Sequence, residues 1–258
     1  MNKPIAGFSL GWIFDTVPDT FCNILRFLRR NDVDAIELCL NSERLRHLAL
    51  FLNQELAALL GQFPYLSIHL PEISWVRDDP LTQKTLAMVD LLRSYLSDIK
   101  TFVVHQDTIK NWGMLASANN YRFGETIAVE FPMDIDKKSG RTLEELRKIC
   151  ELYPSFYFVL DIQHAFENDP TGTLAIDAAE IMGQRLKHLH VSGQKLRQEG
   201  LSRHSFLYEA DNRDEIKRVL AYPCLSDIPR ISEGEFKTCD EKAVVEELNW
   251  LAVQSDSI

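Results

Sequence analysis

Six of the seven histidines in the chain, His69, His105, His164, His188, His190 and His204, stand at or just past the ends of short apolar runs, and only His47 has an ordinary helix-surface setting. Carboxylates close other runs of the same kind: Glu130 after Ile127-Ala128-Val129, Asp161 after Phe158-Val159-Leu160, and Glu233 after Arg230-Ile231-Ser232. An ionised carboxylate at the end of an apolar strand is costly without a counter-charge, and a divalent cation is the most compact way to supply one. Imidazole and carboxylate together suit zinc first, then manganese, iron or cobalt, ahead of magnesium or calcium. In Asp161-Ile162-Gln163-His164 a strand-terminal carboxylate is followed one turn later by a histidine, so both can face the same side. His188-Leu189-His190 has period-two spacing, which puts both rings on one strand face. Only one need be a ligand. His190 is nearer the strand end and is the expected one, with His188 in the interior or supporting it.

Residues so far apart in sequence meet only if the fold gathers strand ends at one place. Eight β-like runs alternate with helix-period segments along the chain: Ile5 to Ser9, Ala35 to Leu38, Leu66 to His69, Phe102 to His105, Ile127 to Phe131, Tyr157 to Asp161, Leu186 to Val191, and Arg230 to Ser232. Helical periodicity marks Thr20 to Arg29, Glu43 to Leu60, Leu81 to Leu96, Thr142 to Leu152 and Glu241 to Val253. Asp79-Pro80 and Ser139-Gly140-Arg141-Thr142 read as helix starts. Repeats of about thirty residues, one strand and one helix each, predict a (β/α)8 TIM barrel whose sites lie at the C-terminal ends of the strands. The alternative, an open doubly wound sheet, needs a glycine-rich phosphate turn after its first strand, where this chain reads Gly11-Trp12-Ile13-Phe14. No linker or low-complexity tract interrupts residues 1–258, so a single domain is expected.

The net charge of -10, from 28 basic and 38 acidic residues, repels polyanions and disfavours nonspecific nucleic-acid binding without excluding it. Five scattered cysteines with no C-x-x-C spacing indicate neither a disulfide framework nor a thiolate metal site. With no signal peptide and no membrane-spanning run, a cytoplasmic protein without a membrane partner is expected. Lys187, Lys195, Arg197 and Arg203 gather around the seventh strand as a solvated face or a phosphate-binding patch, with Arg203 the preferred substrate contact.

In order and spacing, Ser67-Ile68-His69, Val104-His105, Val129-Glu130, Asp161-Ile162-Gln163-His164-Ala165-Phe166, His190, Arg203-His204 and Glu233 resemble the xylose-isomerase-like TIM-barrel superfamily. That superfamily contains endonuclease IV (AP endonuclease family 2) and many sugar isomerases and epimerases. The resemblance implies that Glu130, Asp161, His190 and Glu233 form a shared four-ligand metal site, that His69 and His105 add a second metal, and that His164 and His204 belong to a third. The chain departs from endonuclease IV at Ser202, where that enzyme has an aspartate ligand. It also departs at Leu70-Pro71-Glu72-Ile73, which replaces a DNA-probing aromatic, and at Gly193, three residues after His190, which lacks the usual carboxylate.

Two activities follow from the resemblance. One is a two-metal phosphoester hydrolase in which Glu130 bridges the metals, acting on a small phosphorylated substrate more readily than on nucleic acid. The other is a one-metal sugar or sugar-phosphate isomerase or epimerase with Glu130 and Glu233 as ligands and acid/base pair, His69 and His105 on sugar hydroxyls, and Trp12, Phe14 and Trp75 as an apolar wall. The hydrolase is the preferred reading because His69 and His105 are most simply explained as ligands. A metal-binding barrel without chemistry is the third expectation.

Overall fold

The computed structural model describes residues 3–11, 18–131, 142–197, 200–234 and 240–252. The chain runs through β1 (Ala6–Ser9), α1 (Pro18–Arg30), β2 (Ala35–Cys39), α2 (Ser42–Phe51), α3 (Gln54–Leu60), β3 (Tyr65–His69), α4 (Pro80–Tyr95) and β4 (Thr101–His105). It continues through α5 (Trp112–Ala118), β5 (Ile127–Phe131), α6 (Leu143–Leu152), β6 (Tyr157–Asp161), α7 (Ile162–Asn168), α8 (Thr173–Met182) and β7 (Leu186–Val191). The last elements are β8 (Gly193–Arg197), β9 (Gly200–Ser205), α9 (Arg213–Leu220), β10 (Arg230–Ser232) and α10 (Glu241–Leu251). Eight strands close in the order β1-β10-β7-β6-β5-β4-β3-β2, and β8 and β9 form a separate antiparallel pair. Closure of this parallel sheet excludes the open doubly wound alternative and makes the fold a (β/α)8 barrel. No helix among the described residues is long and apolar enough to cross a membrane.

Local chemistry sets the helix ends. Asp79 accepts from Thr82 N at 2.8 Å with Pro80 in the first turn, and Thr142 and Glu145 form a reciprocal capping box that starts α6. The single helix expected over Glu43 to Leu60 is two helices. Asn53 caps α3 by accepting from Leu56 N at 2.9 Å, and an N-cap has extended backbone that the preceding helix cannot continue through. Val253, the expected end of the last helix, lies outside the described residues, as do 139–141. The seventh strand is followed by the β8–β9 hairpin where the sequence reading has only a loop.

Period-two alternation divides the strands into two faces. Ile36, Leu38, Leu66, Ile68, Phe102, Val104, Ile127, Val129, Phe158 and Leu160 belong to one large core with Leu25, Leu28, Val89, Leu92 and Leu146 of the helices. Burial of each such side chain contributes about 1.5–3 kcal/mol before conformational entropy is counted. The alternate residues fill the barrel. Ala35, Tyr65 and Ile231 form one small inner cluster, and Val103, Ala128 and Val159 another. The same alternation carries the polar residues inward: Glu37, Ser67 and His69, then His105, Glu130, Asp161, His188 and His190. At Gly7 a Cβ would stand 1.6 Å from Ala35 O, so β1 can take its place beside β2 only as glycine.

At the N-terminal end of the barrel Arg230, fully buried, donates to the carbonyls of Leu251, Leu220 (2.8 Å) and Ser226 (3.3 Å). One guanidinium thereby satisfies the carboxyl ends of α9 and α10, where the helix dipoles favour a cation. Burial pulls its pKa down to about 10, opposed by the charge of Asp227, so it remains charged at neutral pH.

Candidate metal centre at the barrel mouth

Strand register assembles the site. His105 is paired with Glu130 across β4 and β5, Asp161 with His190 across β6 and β7, and His190 with Ile231 of β10. Glu233 follows β10, its backbone N–H bonded to Val191 O at 3.0 Å. The ligand atoms of His69, His105 and Glu130 lie within 4.8 Å of one another, as do those of Glu130, Asp161 and His190. Glu130 belongs to both groups.

His69 Nδ1 donates to Leu70 O at 3.2 Å, which turns Nε2 toward Glu130 Oε2 at 2.9 Å. His105 Nδ1 stands 3.7 Å from Glu130 Oε2, and His190 Nδ1 stands 3.7 Å from Glu130 Oε1 and 3.4 Å from Glu233 Oε1. These two Nδ1 atoms are buried and make no hydrogen bond. Two ligands of a tetrahedral zinc-like ion, each about 2.0–2.1 Å from it, stand roughly 3.3 Å apart. The separations of these two Nδ1 atoms from the carboxylate oxygens, 3.4 to 3.7 Å, are longer than hydrogen bonds and near that edge length, so they fit a divalent cation, while His69 and Glu130 are hydrogen-bonded across 2.9 Å.

Electrostatics points the same way. Burial pushes Glu130 upward, but His105, His190 and His69 outweigh it and hold the carboxyl well below its ordinary range. Burial lowers the His190 pKa, yet Glu37 and Glu233 raise it well above that of a free imidazole. Burial also lowers His105, with Glu130 opposing. Glu233 is pushed up to about 7 by burial and by the charges of Asp161 and Glu130, against His190. For Glu233, burial together with the charges of Asp161 and Glu130 disfavours the ionised form, a cost that a bound cation would offset.

Asp161 Oδ1 caps α7 by accepting from His164 N at 3.0 Å, and its Oδ2 is 3.5 Å from His164 Nε2. His164 Nδ1 is 3.4 Å from Glu167 Oε2. His204, on β9, is 44% exposed at its side chain, lies 3.9 Å from Glu233 Oε2, and holds its ring centroid 6.4 Å from that of His164. All eight candidate ligands therefore lie on one end of the barrel, with His164 and His204 at the rim.

The three expected substrate contacts fare differently. Trp12, with Phe14, lies outside the described residues, and only the backbone of Arg203 is described, in β9. Trp75 is 1% exposed and packs edge-on to Phe123 at 6.0 Å, with φ at 53°. It is a core residue and presents no open wall to a ligand. The basic cluster also separates. Lys187 lies near the start of β7, over the Tyr157 ring at 3.6 Å, while Lys195 is paired with Glu209 at 2.9 Å beyond its far end. At Gly193 a Cβ would meet Ala210 Cβ at 2.1 Å, so the carboxylate missing there has no room.

Sequence reading passed over Glu37. It is fully buried on β2, with Oε2 accepting from Ser67 Oγ at 2.8 Å and standing 3.3 Å from His188 Nε2, and Oε1 3.0 Å from His190 Nε2. Its signal, a carboxylate inside the apolar run Ala35-Ile36-Glu37-Leu38, is the one that marks Glu130.

No family profile matches the sequence, and no curated protein matches it. Solved structures do. Endonuclease IV from Thermus thermophilus aligns at 18% identity over 96% of this chain and 99% of its own, with a TM-score of 0.64. D-allulose 3-epimerase from a Methylomonas species aligns at 11% identity over 97% and 98%, with a TM-score of 0.67. A xylose isomerase domain protein from Alicyclobacillus acidocaldarius aligns at 13% over 97% and 98%, with a TM-score of 0.64. The fold is that of the xylose-isomerase-like barrels. Within that xylose-isomerase-like fold the likeness runs almost end to end, to a nuclease and to an epimerase at comparable similarity.

Proposed function

We propose that this protein is a divalent-metal phosphoester hydrolase whose two metals share Glu130. The supporting observation is that one buried carboxylate belongs to two ligand groups at once, its Oε2 facing His69 and His105 and its Oε1 facing His190. His69, His105 and Glu130 would hold one ion, and Glu130, Asp161, His190 and Glu233 the other. Such a pair, when bound, polarises a phosphoryl group, acidifies water and offsets charge on the attacking and leaving oxygens.

The chain's own residues do the rest. Capping of α7 fixes Asp161 in place, and the bond from His69 to Leu70 fixes that ring. Glu233, its Oε1 3.4 Å from His190 Nδ1, would complete the second group. His164 and His204 flank the opening, where a phosphate would enter. Charge favours a small phosphorylated substrate over nucleic acid.

The second reading, a sugar or sugar-phosphate epimerase using a single metal, draws on Glu130 and Glu233, which stand 3.7 and 3.4 Å from the same His190 Nδ1 and as a carboxylate pair could move a proton beside a carbonyl. In it His69 and His105 would contact sugar hydroxyls. Assays with zinc-, manganese- or cobalt-loaded protein separate the two. Turnover of p-nitrophenyl phosphate mono- or diesters, or cleavage of an abasic-site duplex, is the expected result. Interconversion of ketohexoses or their phosphates with no ester hydrolysis would replace the proposal by the second reading. A loaded barrel that does neither would be a binding module.

A further inference from the structure

Below the candidate metal ligands the barrel holds a column of polar side chains for which neither reading has a use. Thr101 Oγ1 is 3.1 Å from Tyr65 OH, Tyr65 OH is 3.0 Å from His188 Nδ1 and 3.3 Å from Lys187 O, and His188 Nε2 is 3.3 Å from Glu37 Oε2 and 3.2 Å from His190 Nε2. Glu37 sits at the top of this column, enclosed by Ser67, His188 and His190, with Ser67 directly opposite it in the strand register.

We propose that Glu37 is the positioning residue of the metal centre, holding His190 by its Nε2 side so that Nδ1 presents its lone pair to the metal. The inference rests on the metal reading given above. Proton counting supports it. An ionised Glu37 can only accept, and the groups nearest its two oxygens, Ser67 Oγ, His188 Nε2 and His190 Nε2, can all donate. With hydrogen on the Nε2 of each ring, Ser67 Oγ donates to Glu37 Oε2 at 2.8 Å and both imidazoles turn a donor toward the carboxylate, His188 at 3.3 Å from Oε2 and His190 at 3.0 Å from Oε1, the last outside hydrogen-bond alignment. Tyr65 can then donate to His188 Nδ1 while accepting from Thr101, so the column is paired from Thr101 up to His188. Were Tyr65 to donate to Lys187 O instead, His188 would carry its proton on Nδ1 and turn a lone pair on Glu37 at 3.3 Å, a repulsion buried in low dielectric.

The favoured arrangement leaves His190 Nδ1 without a proton, facing Glu130 and Glu233 at 3.7 and 3.4 Å. A lone pair facing two carboxylates needs positive charge between them, a proton on Nδ1 in the metal-free protein or the metal ion once it is bound. Outer carboxylates of this kind fix the ring and raise its basicity as a ligand.

The test is a chelator titration of the zinc-loaded protein, with cobalt-loaded protein giving the ligand-field spectrum of each site, for wild type, Glu37→Gln and Ser67→Ala. Glu37→Gln is expected to weaken one metal equivalent by about 10- to 100-fold, to shift the cobalt bands of that site, and to leave the other equivalent and the total stoichiometry unchanged. Ser67→Ala, which leaves the contact between Glu37 and His190 in place, is expected to change affinity less than about threefold. Equal weakening of both equivalents would make Glu37 a general structural residue and overturn the proposal. Unchanged affinity would overturn it too. Outright loss of one equivalent would also overturn it, since Glu37 would then be itself a ligand, with His188 and His190, of an inner ion. Wild-type protein that binds no metal would instead remove the metal reading on which the inference stands. If Glu37→Gln does not fold, Tyr65→Phe carries the test: it frees His188, and it should weaken the same single equivalent, with no change counting against the proposal.

Discussion

Replacing Glu130 by alanine is expected to remove both metal equivalents and to lower phosphoester turnover by at least about a thousandfold, beyond the loss typical of one transition-state contact. Each Glu130 oxygen faces a different imidazole, and among the described residues Glu130 is the member that these two groups have in common. Its removal also leaves His69 Nε2 without its 2.9 Å partner. Alanine substitution at His164 or His204 should cost much less, because both lie at the rim and neither belongs to the buried ligand groups. Elemental analysis and turnover, with circular dichroism to verify folding, check the expectation. Retention of one full equivalent in the Glu130→Ala protein would show that the two groups do not depend on a shared carboxylate.

The largest expected loss of stability lies at the opposite end of the barrel. Arg230→Met keeps most of the side-chain volume but deletes the donors that reach Leu251, Leu220 and Ser226. Three carbonyls, those of Leu251 and Leu220 buried and that of Ser226 partly so, are then left without this partner. Hydrogen bonds to a charged group contribute about 1.5–3 kcal/mol each, and orphaned buried acceptors carry a desolvation cost of similar size. Because the losses overlap, a destabilisation of about 3–5 kcal/mol is expected, seen as a fall in Tm on the order of 10 °C for a chain of this size. Denaturant unfolding of the metal-free protein measures it. A change below about 1 kcal/mol would mean that water replaces the guanidinium, and would contradict the role given to Arg230.

Much of this architecture is legible in the sequence because a barrel repeats one unit and places its site by rule. Carboxylates closing apolar runs locate Glu130, Asp161 and Glu233, and proximity to the strand end separates His190 from His188. Other features depend on interactions that periodicity does not encode. Apolar spacing continues through Leu52-Asn53, so the helix break there is visible only as a capping interaction of Asn53. Trp75 lies in sequence near a strand end, but a left-handed backbone turn directs it into the core against Phe123. Lys187 and Lys195 are near neighbours in sequence, yet a strand of six residues spans roughly 20 Å and puts Lys187 near the start of β7 and Lys195 beyond its far end. Glu37 carries the same signal as Glu130 but in mid-strand, and its function depends on His188 and His190, which come from a strand far along the chain.

The central claim, a two-metal centre sharing Glu130, is tested most directly by metal content per chain in wild type and in the His69→Ala/His105→Ala double variant. Two equivalents in wild type, falling by about one in the variant while the remaining ion stays bound, is the predicted result. A single equivalent in wild type, unchanged in the variant, would contradict the account and leave a one-metal barrel suited to sugar chemistry.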